Sequence, residues 1–323
     1  MKILLVKISS MGDIAHTTPV IADILQAYPH AQIDWLVEEN FIDMIKHVRG
    51  IHTALPVAIR RWRQHLLQAK TWKEIRLFIK TLRQTHYDWV IDAQGLIKSA
   101  LLASLAHGRV CGLANRTEGA SYEWPVRFFY NKRVYIAPHT HVVTRSRLLA
   151  AKCLDYSLPT QLNFGLIAHG TTDFNALAGR PYIIFAHATS RADKTWPLAS
   201  WVALGKHLIT SGYHIVLPWG NSNEKKISEE IASFLGDASW IPPHLTLSQI
   251  TELLATASAI VGVDTGLSHI AAALAQPTIQ LYRFDTAWRT GGLGSEKLIN
   301  LGGKHHLPTP TEVTDALQQV GVL

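Results

Sequence analysis

The chain has 323 residues, with 31 Lys and Arg against 24 Asp and Glu, a net charge of +7 with His neutral. Hydrophobic residues make up 47% and charged residues 17%, which supports buried cores in about two domains and excludes disordered, collagen-like and coiled-coil classes. No apolar run reaches the ~20 residues of a membrane span, and the N-terminus lacks the apolar core and cleavage site of a signal peptide, so a soluble, cytoplasmic protein is expected.

Two cysteines, Cys111 and Cys153, are too few for a disulfide scaffold, and no Cys-x-x-Cys pair occurs. The 17 His are scattered, so no metal site is expected. The basic excess admits three partners: nucleic acid, an anionic membrane surface or an acidic small molecule.

Residues 2–8 form a near-continuous apolar run, the pattern of a strand buried on both faces. Ser9-Ser10-Met11-Gly12-Asp13 reads as a loop, and Thr18-Pro19 opens a helix with threonine as N-cap. Strands are expected at 32–37, 89–92 and 134–136. The pattern weakens from about 155 to 180, then restarts with strands at 182–186, 214–217, 259–263 and 278–281. Repeated strand–loop–helix order implies an α/β fold of two parallel-sheet, Rossmann-like halves, 1–175 and 176–323. Segment 90–98 parallels 261–269, with Gly95 matching Gly266. Thr309-Pro310-Thr311-Glu312 starts a last helix with an apolar stripe of Val313, Leu317 and Val320.

No GxGxxG, P-loop lysine or GxSxG motif is present, which weakens dinucleotide, P-loop and hydrolase readings. Polar loops after the strands carry the chemistry instead. Asp13 sits where a carboxylate could take a proton from a substrate hydroxyl, or cap a helix. Segment 187–197 combines Thr189, Ser190 and Lys194 with a helix start, which suits a diphosphate. Thr265 and Gly266 present backbone N–H groups at a helix N-terminus, where an anion is favoured. Asp264 beside them would repel phosphate and suits sugar hydroxyls; His269, one turn on, faces the cleft or is structural. Glu224 could take the two hydroxyls of a ribose, or simply open a surface helix. Arg60, Arg61 and Arg63 form a compact cationic group for a polyanionic acceptor, a lipid surface or nucleic acid.

Four segments in order, Lys7-Ile8-Ser9-Ser10-Met11-Gly12-Asp13-Ile14-Ala15-His16-Thr17-Thr18-Pro19, Val57-Ala58-Ile59-Arg60-Arg61-Trp62-Arg63, Ile91-Asp92-Ala93-Gln94-Gly95-Leu96-Ile97-Lys98-Ser99 and Asp264-Thr265-Gly266-Leu267-Ser268-His269, closely resemble the ADP-heptose glycosyltransferase family. The likeness is to its type I lipopolysaccharide heptosyltransferases and runs from residue 1 to about 282. It implies a GT-B fold of two facing Rossmann-like domains, with the C-terminal helix crossing back to the N-terminal domain. The implied activity is inverting transfer of L-glycero-D-manno-heptose from ADP-heptose to a Kdo residue of the lipopolysaccharide inner core, with Kdo2-lipid A as acceptor. The N-terminal domain would bind the acceptor and the C-terminal domain ADP-heptose.

By this resemblance Asp13 is the catalytic base, and Arg60, Arg61, Arg63 and Lys98 hold the acidic acceptor. Thr189, Ser190 and Lys194 fall on the diphosphate loop, Glu224 on the ribose carboxylate and Leu245 on the adenine pocket. Asp264, Thr265, Gly266 and His269 fall on the sugar-nucleotide motif. No cofactor or metal is implied, ADP-heptose being a co-substrate. The implied location is the cytoplasmic face of the inner membrane, with peripheral attachment and no nucleic acid. The alternatives are type II transfer onto heptose and a basic, nucleic-acid-binding Rossmann-like protein. The chain departs from the family at 113–126, which lacks its Arg-Glu-Pro pattern. It also departs at Tyr282-Arg283-Phe284-Asp285, where Tyr-Gly-Pro-Thr is usual, and at Ser190, where a second threonine is commoner.

Overall fold

Ile3, Leu4, Leu5 and Val6 are all fully buried, and with Lys2 they form the first strand, β1 (Lys2–Val6). A computed structural model describes residues 1–170, 172, 174–177, 179–189 and 191–323. The chain divides into two units, Met1–Gly165 and Leu166–Leu323, so the boundary precedes the expected 175.

In the first unit β1 is joined by β2 (Gln32–Glu38), β3 (Thr53–Val57), β4 (His86–Asp92), β5 (His107–Leu113) and β6 (Lys132–Val134). Its helices are α1 (Met11–Thr17), α2 (Pro19–Ala27), α3 (Ile42–Ile45), α4 (Ile59–Gln64), α5 (Ala69–Leu82), α6 (Ile97–Leu105) and α7 (Val142–Leu154). The sheet is parallel, in the order β3-β2-β1-β4-β5-β6.

The second unit repeats the plan with β7 (Tyr182–Ala186), β8 (His214–Val216), β9 (Ser239–Trp240), β10 (Ala259–Val263), β11 (Thr278–Tyr282) and β12 (Leu298–Gly302). Its helices are α8 (Leu198–Thr210), α9 (Ser222–Leu235), α10 (Leu247–Ala255), α11 (Gly266–Ala273), α12 (Ala287–Thr290) and α13 (Pro310–Gln319). The order β12-β11-β10-β7-β8-β9 is again parallel.

In both parallel sheets the strand order reverses between the first and fourth strands, β1/β4 and β7/β10. In open α/β sheets the loops leaving such a pair frame the ligand crevice. The likeness of 90–98 to 261–269 pairs these fourth strands with each other.

Two expectations are corrected, and one crosslink is added to what the sequence indicates. The helix expected at Thr18-Pro19 is preceded by another, because α1 already begins at Met11 and puts Asp13 on its first turn. Cys111 on β5 and Cys153 on α7 are both buried and joined as a disulfide, with Cα atoms 6.1 Å apart; this single crosslink is independent of the many-cysteine scaffold that the count excluded. Finally, α13 puts Val313, Ala316 and Leu317 into the second unit's own core, with Ile279 and Leu281 of β11 and Leu204 and Leu208 of α8. The terminal stripe is thus spent on the C-terminal half, where the resemblance implied a return to the N-terminal one.

Candidate active site

The loop after β1 and the loop after β4 are fastened together. Lys7, directly beyond β1, is buried, and its Nζ donates to Ala93 O at 3.3 Å and lies 3.5 Å from Asp13 Oδ1. Gln94 Oε1 accepts the Ser9 N–H at 3.4 Å. Asp13 Oδ2 accepts from the Ser10 N–H at 3.0 Å and the Ser10 hydroxyl at 2.8 Å. Asp13 is therefore a helix-capping carboxylate and also one half of an ion pair at the crevice. Desolvation alone would raise its pKa, but the Lys7 ammonium, the two Ser10 donors and His16 hold it well below the usual carboxylate range. Burial pushes Lys7 down in turn, against the pull of Asp13.

The second loop of this pair is set by Asp92, wholly buried at the end of β4. It accepts from the Gln94 and Gly95 N–H groups, the Ser99 hydroxyl and the Tyr130 hydroxyl, at 2.9, 3.2, 2.9 and 2.7 Å. Burial raises its pKa despite these donors. Gly95 turns the chain at φ +76°, a conformation that favours glycine, and α6 follows with Lys98 exposed in its first turn.

Of the arginines on α4, Arg61 is engaged by protein. Its Nε and Nη2 donate to Glu39, both at 3.0 Å, and its Nη1 to Glu74 at 2.7 Å. Arg60 lies over the Phe41 ring at 5.4 Å, and Arg63 is exposed. The three share one short helix, but Arg61 must give up carboxylate partners to grip a ligand.

The second unit uses the same device. Lys194 Nζ, in the loop after β7, donates to Asp264 Oδ2 at 2.5 Å in the loop after β10. Asp264 Oδ1 pairs with His269 Nε2 at 3.1 Å. Burial would raise the Asp264 pKa, but His269 and Lys194 hold it well below the ordinary range. Both Asp264 oxygens thus have protein partners, a use that sequence reading did not anticipate. Thr265 is the N-cap of α11 and offers no capping side-chain bond, while Gly266 opens the helix. Gly262 admits that helix: a Cβ there would meet Ser268 Oγ at 2.2 Å. Thr189 is half-buried beside the same pair of strands. Ser190 lies outside the described residues.

Glu224 stands in the first turn of α9. Its oxygens accept from the Gly220 N–H and Asn221 Nδ2, both at 2.7 Å, so the helix-opening role is real. Half-buried Leu245 precedes α10. Next to it, Trp219 donates to Pro242 O at 2.8 Å and meets the His244 ring edge-on at 5.3 Å. These two aromatic rings join the Glu224 loop to the Leu245 loop and were not singled out from sequence. The divergent 283–286 segment abuts the Lys194 loop: Arg283 Nη1 donates to Thr195 O at 3.2 Å, and Arg191 lies over Phe284 at 5.5 Å. Among the described residues no group of three or more His, Cys, Asp or Glu side chains could hold a metal ion.

Residues 75–319 match the family model described as glycosyltransferase family 9 (heptosyltransferase). The chain belongs to glycosyltransferase family 9. It is 40% identical over 301 residues to lipopolysaccharide heptosyltransferase 1 of Escherichia coli K12, covering 93% of each chain. The Pseudomonas aeruginosa heptosyltransferase 1 is 39% identical over 304 residues, 94% of this chain and 84% of that one. The solved structure of E. coli heptosyltransferase WaaC with ADP superposes with a TM-score of 0.86 at 35% identity, covering 99% of this chain and 100% of that chain. Family 9 membership makes the protein a glycosyltransferase, and the match bears out the α/β GT-B class.

One residue near the Lys194 loop gives this family 9 enzyme a pH-sensitive stability. His187, buried just after β7, shares a 2.8 Å hydrogen bond with Ser228 Oγ, and burial lowers its pKa from 6.5 to about 4. The unfolded chain takes up this proton below pH 6.5, whereas the folded chain resists until about pH 4. Stability is therefore complete above pH 6.5 and is lost as pH falls through that window, by about 3 kcal/mol from this group. Urea midpoints should fall accordingly between pH 7 and 4.5, and His187→Gln should flatten that part of the decline. An equally steep decline in the variant would remove His187 as its source.

Proposed function

We propose that the protein transfers heptose from ADP-heptose to a Kdo residue of the lipopolysaccharide inner core, with inversion at the anomeric carbon. The observation that carries this reading is the Asp13–Lys7 pair at the N-terminal switch point, in a chain of the heptosyltransferase family. An ionised carboxylate at that place can take the proton of an acceptor hydroxyl as the oxygen attacks. Lys194, Thr189 and the N-terminus of α11 form a cationic and N–H-rich edge for the departing diphosphate, and no resident cofactor enters the scheme. Glu224 and Leu245 serve ribose and adenine, while Arg60, Arg63 and Lys98 serve the acidic acceptor. Type I transfer is favoured over type II by the 40% identity to a heptosyltransferase 1, and the enzyme works at the cytoplasmic face of the inner membrane. Incubation with ADP-heptose and Kdo2-lipid A should release ADP and add one heptose to the lipid; release without a heptosylated product would contradict the reading.

The acceptor side has its own test. Arg60→Ala and Arg63→Ala should raise the acceptor KM by roughly ten-fold or more, since each removes a charged hydrogen-bond donor, and leave the donor KM nearly unchanged. Equal changes in both constants would take the arginines out of acceptor binding.

A further inference from the structure

β10 stands between β7 and β11 in the C-terminal sheet, so the loops leaving β7 and β11 start roughly 10 Å apart, two strand spacings. Long side chains close that gap. Arg283, the first residue beyond β11, donates from Nη1 to Thr195 O at 3.2 Å, and the Arg191 guanidinium lies over the Phe284 ring at 5.5 Å. Arg283 and Phe284 thus grip the two ends of the short turn 191–195, whose fourth residue is Lys194. The turn itself is slight. Its Lys194 N–H donates to Arg191 O at 3.0 Å and its Thr195 N–H to Ala192 O at 3.3 Å, and Arg191, Ala192 and Asp193 are exposed. Asp193 accepts from Arg191 with both oxygens, which fixes the guanidinium that covers Phe284.

The residues that grip are themselves anchored. Tyr282, just before them, is buried and donates its hydroxyl to Gln280 Oε1 at 2.9 Å. Phe284 O accepts the Thr286 N–H at 2.7 Å, and Asp285 Oδ1 accepts the Lys304 N–H at 2.9 Å, just beyond β12. The segment 283–286 is therefore a turn fastened to the exit of its neighbouring strand. With the usual Gly-Pro at 283 and 284, neither contact to the Lys194 turn could form. Glycine has no side chain, and proline has no aromatic face to meet a guanidinium. The departure in sequence coincides with two contacts that need the residues found here.

An exposed turn with few buried contacts opens readily, whereas a group that stabilises developing charge must be held within about 0.5 Å of its working position. Lys194 sits in such a turn, with its ammonium 2.5 Å from Asp264 Oδ2. We propose that Arg283 and Phe284 are positioning residues for Lys194. They clamp the 191–195 turn and so set the ammonium where the departing diphosphate needs it. The inference rests on the leaving-group role given to Lys194 above; the clamp itself stands on geometry alone.

Hydrogen exchange of the Lys194 and Thr195 amides in the full chain reads the clamp without any substrate. Arg283→Ala and Phe284→Leu should each speed it by roughly three- to ten-fold, the scale of one lost charged contact. Neither side chain is buried, so the thermal midpoint should not move. Arg283→Lys and Phe284→Tyr, which keep a cation and a ring, should restore slow exchange. In transfer assays Arg283→Ala and Phe284→Leu should lower kcat by a similar factor at an unchanged acceptor KM. They should lower it no further in a Lys194→Met chain, where the group they position is gone. Unchanged exchange in both variants would overturn the clamp. An equal fall in kcat with and without Lys194 would overturn the positioning role, since the two residues would then act on the substrates directly. A Lys194→Met chain as fast as the wild type would sink the leaving-group role and the catalytic half of the proposal with it, while the exchange rates would judge the clamp by themselves.

Discussion

Asp13→Asn is expected to lower kcat by about 10²–10⁴ while ADP-heptose affinity changes by less than about two-fold. The amide keeps the shape of the side chain and its place on the first turn of α1 but cannot take a proton. The pH profile sharpens this expectation. Lys7, Ser10 and His16 hold the Asp13 carboxyl well below its ordinary range, so the wild-type rate should show no acid limb from this group between pH 7 and 5. Lys7→Met removes the nearest cation and should move that limb upward, so that rate is lost on acidification where the wild type is still active. Turnover of Asp13→Asn within about ten-fold of wild type would remove the carboxylate from the base role.

Lys194→Met carries the next largest expected effect, a fall of about 10²–10³ in kcat, the scale of losing one preorganised donor to a developing negative charge. The lysine also neutralises Asp264 at 2.5 Å, so its removal leaves a mostly buried carboxylate with His269 alone. The variant Lys194→Met with Asp264→Asn separates the two roles. If Lys194 stabilises the leaving diphosphate, the double variant stays as slow as the single one. If its service is only to balance Asp264, the double variant recovers most of the rate. Single-turnover measurements with saturating donor would distinguish these outcomes.

Much of this arrangement was legible in the residues. Strands buried on both faces announce themselves as apolar runs, and those at 182–186 and 259–263 match β7 and β10 residue for residue. Edge and glycine-bearing strands do not. β3 carries Pro56, β5 carries Gly108 and Gly112, and β12 is half exposed, so their pairing is decided by neighbours and not by their own composition. The expected strand at 134–136 pairs instead over Lys132–Val134 at the sheet edge. Loops rich in hydroxyl, glycine and charge were found from sequence because polar groups after buried strands are conspicuous. Their partners were not. Lys7 reads as the end of an apolar strand, and nothing in its neighbourhood in sequence says that it reaches both Ala93 and Asp13. Asp264 reads from its neighbours as a sugar ligand, since its ion pair with Lys194 closes over 70 residues. The four donors on Asp92 come from residues up to 38 positions away. Such long-range satisfaction of buried polar groups is a property of topology, and local pattern cannot carry it.

Transfer of the heptosyl group in one displacement onto Kdo, with Asp13 taking the proton, is the proposed reaction. Its most direct test is the linkage formed when the purified protein acts on ADP-heptose and Kdo2-lipid A, read by nuclear magnetic resonance of the isolated product. The expected product carries one new heptose on a Kdo hydroxyl, with anomeric configuration opposite to that of the donor and ADP released in equal amount. Retained configuration, or a heptose on any other sugar, would contradict it.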